Sequence, residues 1–231
     1  MAIGRPPTPP AGRGSLGLDE AGRGSVLGPL VVGGFLLPES RLGELRELGV
    51  RDSKLLSPTR RASIARALAE LGTPSTISIP PPRIDRAVAR GGLNDLEAEA
   101  FGRLVRRARP HRSFVDACDP VEARFGRLVA RRAGVPPGRV IARHHADRDH
   151  LLVGAASIIA KVQRDAEVDA LRRTLPEEIG SGYPSDPTTR RYVTDLVERG
   201  APLPFWVRGS WKTVRNLKRA AATRTLDAYS A

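Results

Sequence analysis

The chain has 231 residues, 40% of them hydrophobic, with 38 basic against 25 acidic side chains and a formal net charge of +13. That length suits one large domain with a sizeable core, the apolar content excludes a disordered chain, and the positive excess favours a polyanionic partner, nucleic acid before a membrane surface. The single cysteine, Cys118, excludes an intrachain disulfide framework and a cysteine-based zinc site and fits a reducing, cytoplasmic setting, and no stretch reaches the ~18 consecutive apolar residues of a membrane span.

Residues 1–14 read as a flexible Pro/Gly-rich lead without the apolar segment of a secretory signal. Ser15 to Leu18 reads as a first strand, and Val26 to Leu37 as one or two strands folding back on it as a hairpin. A short helix is expected over Ser40 to Leu48. Ser57 and Pro58 have the character of an N-cap and first helical position, with Ile64, Leu68 and Leu71 following at helical spacing. Thr76 to Ile79 is the next strand, stopped by Pro80 to Pro82. Asn94 with Glu97 suggests a capping box, and Phe101, Leu104 and Val105 continue one face of that helix.

Ser113 to Val115 is a short strand leading into Asp116. Asp119, Pro120 and Glu122 open another helix, with Phe125, Leu128 and Val129 inward. Val140 to Ala142 is a strand leading towards Asp147. Leu151 to Val162 is apolar nearly all round, as in a helix buried against a sheet. Gly180 to Pro187 is a loop, and Asp186 and Pro187 start a helix that carries Tyr192, Val193, Leu196 and Val197 and stops at Gly200. A last helix begins near Ser210. Paired strands followed by strands alternating with helices predict an α/β domain on a mixed β-sheet over residues 15–205, with a basic C-terminal helical extension over 206–231.

The chemistry gathers at L-G-L-D-E-A-G-R-G, residues Leu16 to Gly24. Two adjacent carboxylates, Asp19 and Glu20, precede Gly22-Arg23-Gly24. Carboxylates gather cations, glycines allow close approach of backbone to a ligand, and arginine binds phosphate. Two further strand-like stretches run into Asp116 and Asp147. Four such acids brought together call for hard cations, Mg²⁺ or Mn²⁺, and two such ions can activate water and stabilise the leaving oxygen of a phosphodiester. Adjacent strand residues point to opposite faces, so Asp19 and Glu20 can share a site only at a strand end or distortion. His144, His145 and His150 flank Asp147, but adjacent histidines rarely serve one ion; one of them could shuttle protons. No serine sits in a G-x-S-x-G elbow. Only four of the basic residues are lysines, Lys54, Lys161, Lys212 and Lys218, which marks them as places where a compact ammonium is wanted. Arg208, Lys212, Arg215, Lys218, Arg219 and Arg224 against one acid, Asp227, make the C-terminal segment a candidate clamp on a duplex backbone.

L-D-E-A-G-R-G with G-P-L-V-V, then R-D-S-K-L-L-S-P, F-V-D-A-C-D, A-A-S-I-I-A-K-V-Q-R-D, G-S-G-Y-P-S-D-P and S-W-K-T-V-R occur in that order. In these motifs the chain resembles the ribonuclease HII family, the type 2 ribonucleases H, in its archaeal branch. The resemblance covers about Leu16 to Arg215. It implies a ribonuclease H-like fold and a monomer that hydrolyses RNA/DNA hybrids and ribonucleotide-containing duplex DNA with two metal ions. It puts the metal-binding acids on Asp19, Glu20, Asp116 and Asp147, Asp147 being preferred over Asp149 by its distance to A-A-S-I. It puts ribose recognition on Gly22, Arg23 and Gly24 and the recognition tyrosine on Tyr183. Arg23 and Lys54 are expected at phosphates near the cut, and Lys212 on the substrate backbone. Ser25 stands where the family usually has proline.

Overall fold

The computed structural model describes residues 14–50 and 56–229, so Lys54 lies outside the described residues. Two compact units are present. One gathers the chain up to Ala21, Val31–Ile77 and Asn94–Gln163; the other gathers Gly22–Leu30, Ser78–Leu93 and the chain from Arg164 onward.

The first unit is built on a five-stranded mixed sheet. β1 (Ser15–Ala21), β2 (Leu30–Leu37), β3 (Thr73–Ile79), β4 (Arg112–Asp116) and β5 (Val140–Arg143) lie in the order β3-β2-β1-β4-β5. The hairpin forms as expected: β1 and β2 are antiparallel, with Asp19 opposite Gly33 and Glu20 opposite Val32. β4 runs parallel to β1, and β5 parallel to β4. A parallel neighbour needs a crossover, and α5 (Glu122–Ala133) supplies it between β4 and β5, ending at Gly134 in the left-handed conformation.

β1 is buried along nearly its whole length, the pattern of a central strand covered on both faces. On one face lies α7 (Leu151–Thr174), which runs a dozen residues past the predicted end. It comes so close that a Cβ on Gly17 would stand 2.1 Å from the Leu152 carbonyl, and one on Gly33 2.5 Å from that of Ala156. The β1 glycine therefore serves helix-to-sheet contact rather than a strand distortion. Phe35, Leu37, Ile64, Leu68, Leu152, Ala155 and Ile158 close the core between sheet and helices. α2 (Pro58–Leu71) starts as expected, with the Ser57 side chain accepting from the Arg60 N–H.

Two expectations change. α4 (Leu93–Ala108) begins before Asn94, which therefore sits inside the helix rather than at its cap; its amide donates to Asp119 (2.9 Å), and the buried Glu97 accepts from Cys118 Sγ (2.8 Å). Asp147 does not end a strand. β5 stops at Arg143, His145 takes a left-handed turn (φ 57°), and Asp147 lies on the single turn α6 (Ala146–Asp149).

The second unit packs Val26, Leu27, Val168, Ile179, Tyr192, Val193, Val207 and Val214 into its own core. Pro80–Pro82 stops β3 and at once starts α3 (Pro81–Val88), because a proline with no N–H fits a first helical turn. Asp85 on α3 accepts from the Gly209 and Ser210 N–H groups (2.9 and 3.1 Å) just ahead of α9 (Lys212–Tyr229). α8 (Pro187–Glu198) has Asp186 as its N-cap and ends before Gly200, as expected.

Candidate active site

The four candidate acids, Asp19, Glu20, Asp116 and Asp147, all fall in the first unit. Asp19 and Glu20 stand at the end of β1, still in regular register with β2, so no bulge is needed to place them there. Asp19 is 5% exposed. Its Oδ1 accepts from the Glu20 N–H at 2.7 Å, and Ser157 on α7 hydrogen-bonds the same carboxyl. Burial pushes the Asp19 carboxyl well above the usual range. The charges of Glu20 and then Asp116 push the same way, against the lowering effect of those two hydrogen bonds. Asp19 thus feels the charge of two of the other three candidate acids, one of them on a segment nearly a hundred residues away.

Asp116 is the last residue of β4, and its Oδ1 accepts from the Ala146 N–H at 2.9 Å. That bond ties the end of β4 to the first residue of α6, so Asp147 follows directly on a residue held by Asp116. Asp147 is 4% exposed, whereas Asp149 on the same turn faces solvent. Glu122 braces this turn: its carboxylate accepts from the His144 N–H (2.6 Å) and from Arg143 (3.2 Å), and the His144 N–H chiefly holds its pKa below the usual value. His144 Nε2 donates to the Asp119 carbonyl (2.8 Å), and His150 stacks on Phe114 with ring centroids 3.8 Å apart. Burial lowers the His150 pKa, against the raising effect of the Glu39 charge. Lys161 lies one turn beyond Ser157 on α7, on the same side of the helix.

An oxygen-only donor set suits hard cations, and the crowding of charge on Asp19 is the condition that a cation between carboxylates offsets. The residues therefore fit divalent ions by their chemistry. Among the described residues no three acidic, histidine or cysteine side chains already stand at ligand spacing.

The second unit holds Gly22, Arg23, Gly24, Tyr183 and Lys212. Gly22 (φ 81°) is buried, Arg23 is half-buried and Gly24 is exposed. Ser25 closes their turn, its Oγ donating to the Gly22 carbonyl at 2.9 Å and its N–H at 3.2 Å. Tyr183 is half-buried, with the Arg164 guanidinium 4.5 Å from its ring centroid. Its loop is tightly held: Asp186 accepts from the Ser181 and Thr188 N–H groups (2.6 and 2.9 Å), and Thr189 Oγ1 accepts from the Gly182 N–H while donating to the Ile179 carbonyl. Lys212, Arg215, Lys218 and Arg219 are exposed on α9.

Arg208 corrects the clamp expected from sequence. It is fully buried, donating from Nε to the Gly28 carbonyl (3.1 Å) and from Nη1 to that of Arg23 (3.0 Å), and it lies over Trp211. Burial, with the neighbouring Arg164 adding to it, pushes its pKa below the usual guanidinium value. Sequence reasoning also passed over Arg164, whose only signal was its place in A-K-V-Q-R-D.

Residues 16–214 match the family model of ribonuclease HII. The ribonuclease HII of Methanothrix thermoacetophila is 40% identical over 207 residues, 89% of this chain and 98% of that protein. The crystal structure of ribonuclease H2 from Pyrococcus horikoshii superposes with a TM-score of 0.82 at 36% identity, covering 90% of this chain and 99% of the other. The ribonuclease HII solved in complex with PCNA from Archaeoglobus fulgidus gives 0.80 at 38%, covering 88% and 96%. Bst-RNase HIII in complex with Mn²⁺ shares the fold at 21% identity, with a TM-score of 0.77 over 93% of this chain and 72% of that one.

Proposed function

The chain belongs to the ribonuclease HII family and is a ribonuclease H, and on that premise we propose that it hydrolyses the phosphodiester 5′ of a ribonucleotide in RNA/DNA duplexes, single ribonucleotides embedded in DNA included, leaving 3′-hydroxyl and 5′-phosphate ends. The observation that carries this reading is the mutual crowding of Asp19, Glu20 and Asp116, with Asp147 next to the residue that Asp116 holds. Asp19, Glu20, Asp116 and Asp147 would hold Mg²⁺ or Mn²⁺, which when bound supplies an activated water and neutralises charge at the departing 3′ oxygen.

The rest of the work falls to the chain's own groups. Only the 2′-hydroxyl separates RNA from DNA at one sugar, and it is both donor and acceptor. Backbone N–H and C=O groups of Gly22 to Gly24 complement it, the exposed Gly24 leaving room for a sugar to approach. The Tyr183 ring packs beneath the following deoxyribose and disfavours a second 2′-hydroxyl there, so the enzyme reads the RNA-to-DNA junction. Arg23, Lys54 and Lys212 contact phosphates, and the exposed cations of α9 hold the duplex without regard to sequence.

A duplex with one embedded ribonucleotide tests the reading. Cleavage 5′ of the ribonucleotide, stopped by chelator and abolished by Asp19→Asn with duplex binding retained, is expected. An enzyme that cuts long hybrids but spares the single ribonucleotide is not a junction reader. Hydrolysis that persists in Asp19→Asn removes the metal assignment.

A further inference from the structure

We infer that Arg164 is a positioning residue which, from a buried seat on α7, fastens the Gly22–Gly28 turn to the Tyr183 loop and fixes the plane of the Tyr183 ring. The inference rests on the reading of Tyr183 as the junction reader and adds the group that sets its geometry.

Arg164 is 4% exposed. Its Nη2 donates to the Ser181 carbonyl at 2.7 Å, its Nη1 lies 3.4 Å from Asp165 Oδ1, and its guanidinium carbon stands 4.5 Å from the Tyr183 ring centroid. The same side chain touches two glycines. A Cβ on Gly182 (φ 84°) would lie 2.8 Å from Nη2, and one on Gly22 (φ 81°) 3.4 Å from Cγ and Nε. Between those glycines the two loops are joined by backbone: the Gly182 carbonyl accepts from the Val26 N–H at 2.8 Å and the Leu27 N–H at 3.2 Å. Arg208 braces the far side of the turn through the Arg23 and Gly28 carbonyls.

A flat fork is required for this. A guanidinium can lie against a ring face and donate in its own plane at once, whereas an ammonium is a point charge without a face. Burying a cation is unfavourable unless it is well bonded, and the counter-charge beside Arg164 is the half-exposed Asp165. So demanding a group, set between the two loops and under the ring, serves their geometry.

The experiment compares kcat/KM on a one-ribonucleotide duplex with that on a uniform RNA/DNA hybrid, for the wild type, Arg164→Lys, Tyr183→Ala and the double variant. Arg164→Lys is expected to lower the ratio about tenfold, Tyr183→Ala to lower it as well, and Arg164→Lys to change it less than twofold once Tyr183 is alanine. If Tyr183→Ala lowers the ratio and Arg164→Lys does not, this inference is overturned and the junction reading stands. If Tyr183→Ala leaves the ratio unchanged, the junction reading falls and takes the inference with it. Equal losses on both substrates in both backgrounds make Arg164 merely structural and also overturn the inference. Should Arg164→Lys not fold, amide exchange in the wild type decides. Val26 and Leu27 N–H groups protected as strongly as the interior of α8 support one fastened body; exchange at open-loop rates refutes it.

Discussion

Gly22 and Gly24 differ in why they are glycine. Gly22 has a positive φ, and a Cβ there would stand 2.8 Å from the Pro29 carbonyl, so its side chain is excluded by the fold. Gly24 has nothing within 4 Å of a built Cβ and no left-handed conformation. Gly24→Ala is therefore expected to unfold within about 0.5 kcal/mol of the wild type, yet to lose tenfold or more in kcat/KM on a one-ribonucleotide duplex, because the added methyl meets the sugar. Gly22→Ala is expected to lose at least ~1 kcal/mol of stability. Denaturant unfolding beside the cleavage assay separates the two, and full activity in Gly24→Ala would remove this glycine from ribose recognition. Arg208 shows the limit of reading residues singly. In sequence it is one cation among six near the C-terminus, and its partners lie some 180 residues away on Gly28 and Arg23. No local pattern distinguishes a solvated arginine from one buried by such distant carbonyls.

Elements were legible where a local rule governs them. Ser57-Pro58 and Asp186-Pro187 announce helix starts because a capping oxygen and a missing N–H act within one turn. The helix after Pro80 and the single turn bearing Asp147 were not legible. The first begins with residues that also stop a strand; the second depends on the left-handed turn at His145 and on the bond from Ala146 to Asp116. Asp186 offers a test at this scale. Its pKa is lowered mainly by the Ser181 N–H and hydroxyl, then by the Thr188 and Thr189 N–H groups, against the raising effect of burial. A carboxylate with a depressed folded pKa contributes stability above its unfolded value, about 3.9, and that contribution is lost as pH falls through the folded value. Asp186→Ala should thus lose about 1 kcal/mol at neutral pH, the gap from the wild type closing as pH falls below the unfolded value and through the lowered folded one. Urea unfolding across pH checks it, and a gap independent of pH would show that the charge is not what holds the loop.

For the molecule as a whole, the mixed sheet followed from paired strands and then strands alternating with helices, while the strand order and the division into two units did not: β2, β3 and α7 each run across a unit boundary with no break in composition. The net charge of +13 makes duplex binding salt-dependent throughout. Replacing Lys212, Arg215, Lys218 and Arg219 by glutamine is expected to reduce the slope of log affinity against log salt by ~0.9 for each phosphate no longer neutralised, with unchanged preference for the ribonucleotide. An unchanged slope would leave α9 outside the interface.

The most direct measurement on the central claim is calorimetric titration of Mn²⁺ into the wild type and into Asp19→Asn, Asp116→Asn, Asp147→Asn and Asp149→Asn. Acids drawn from β1, β4 and α6 into one cation site predict that each of the first three variants loses most of the binding heat while Asp149→Asn binds as the wild type does. Undiminished binding in Asp116→Asn or Asp147→Asn would contradict the account.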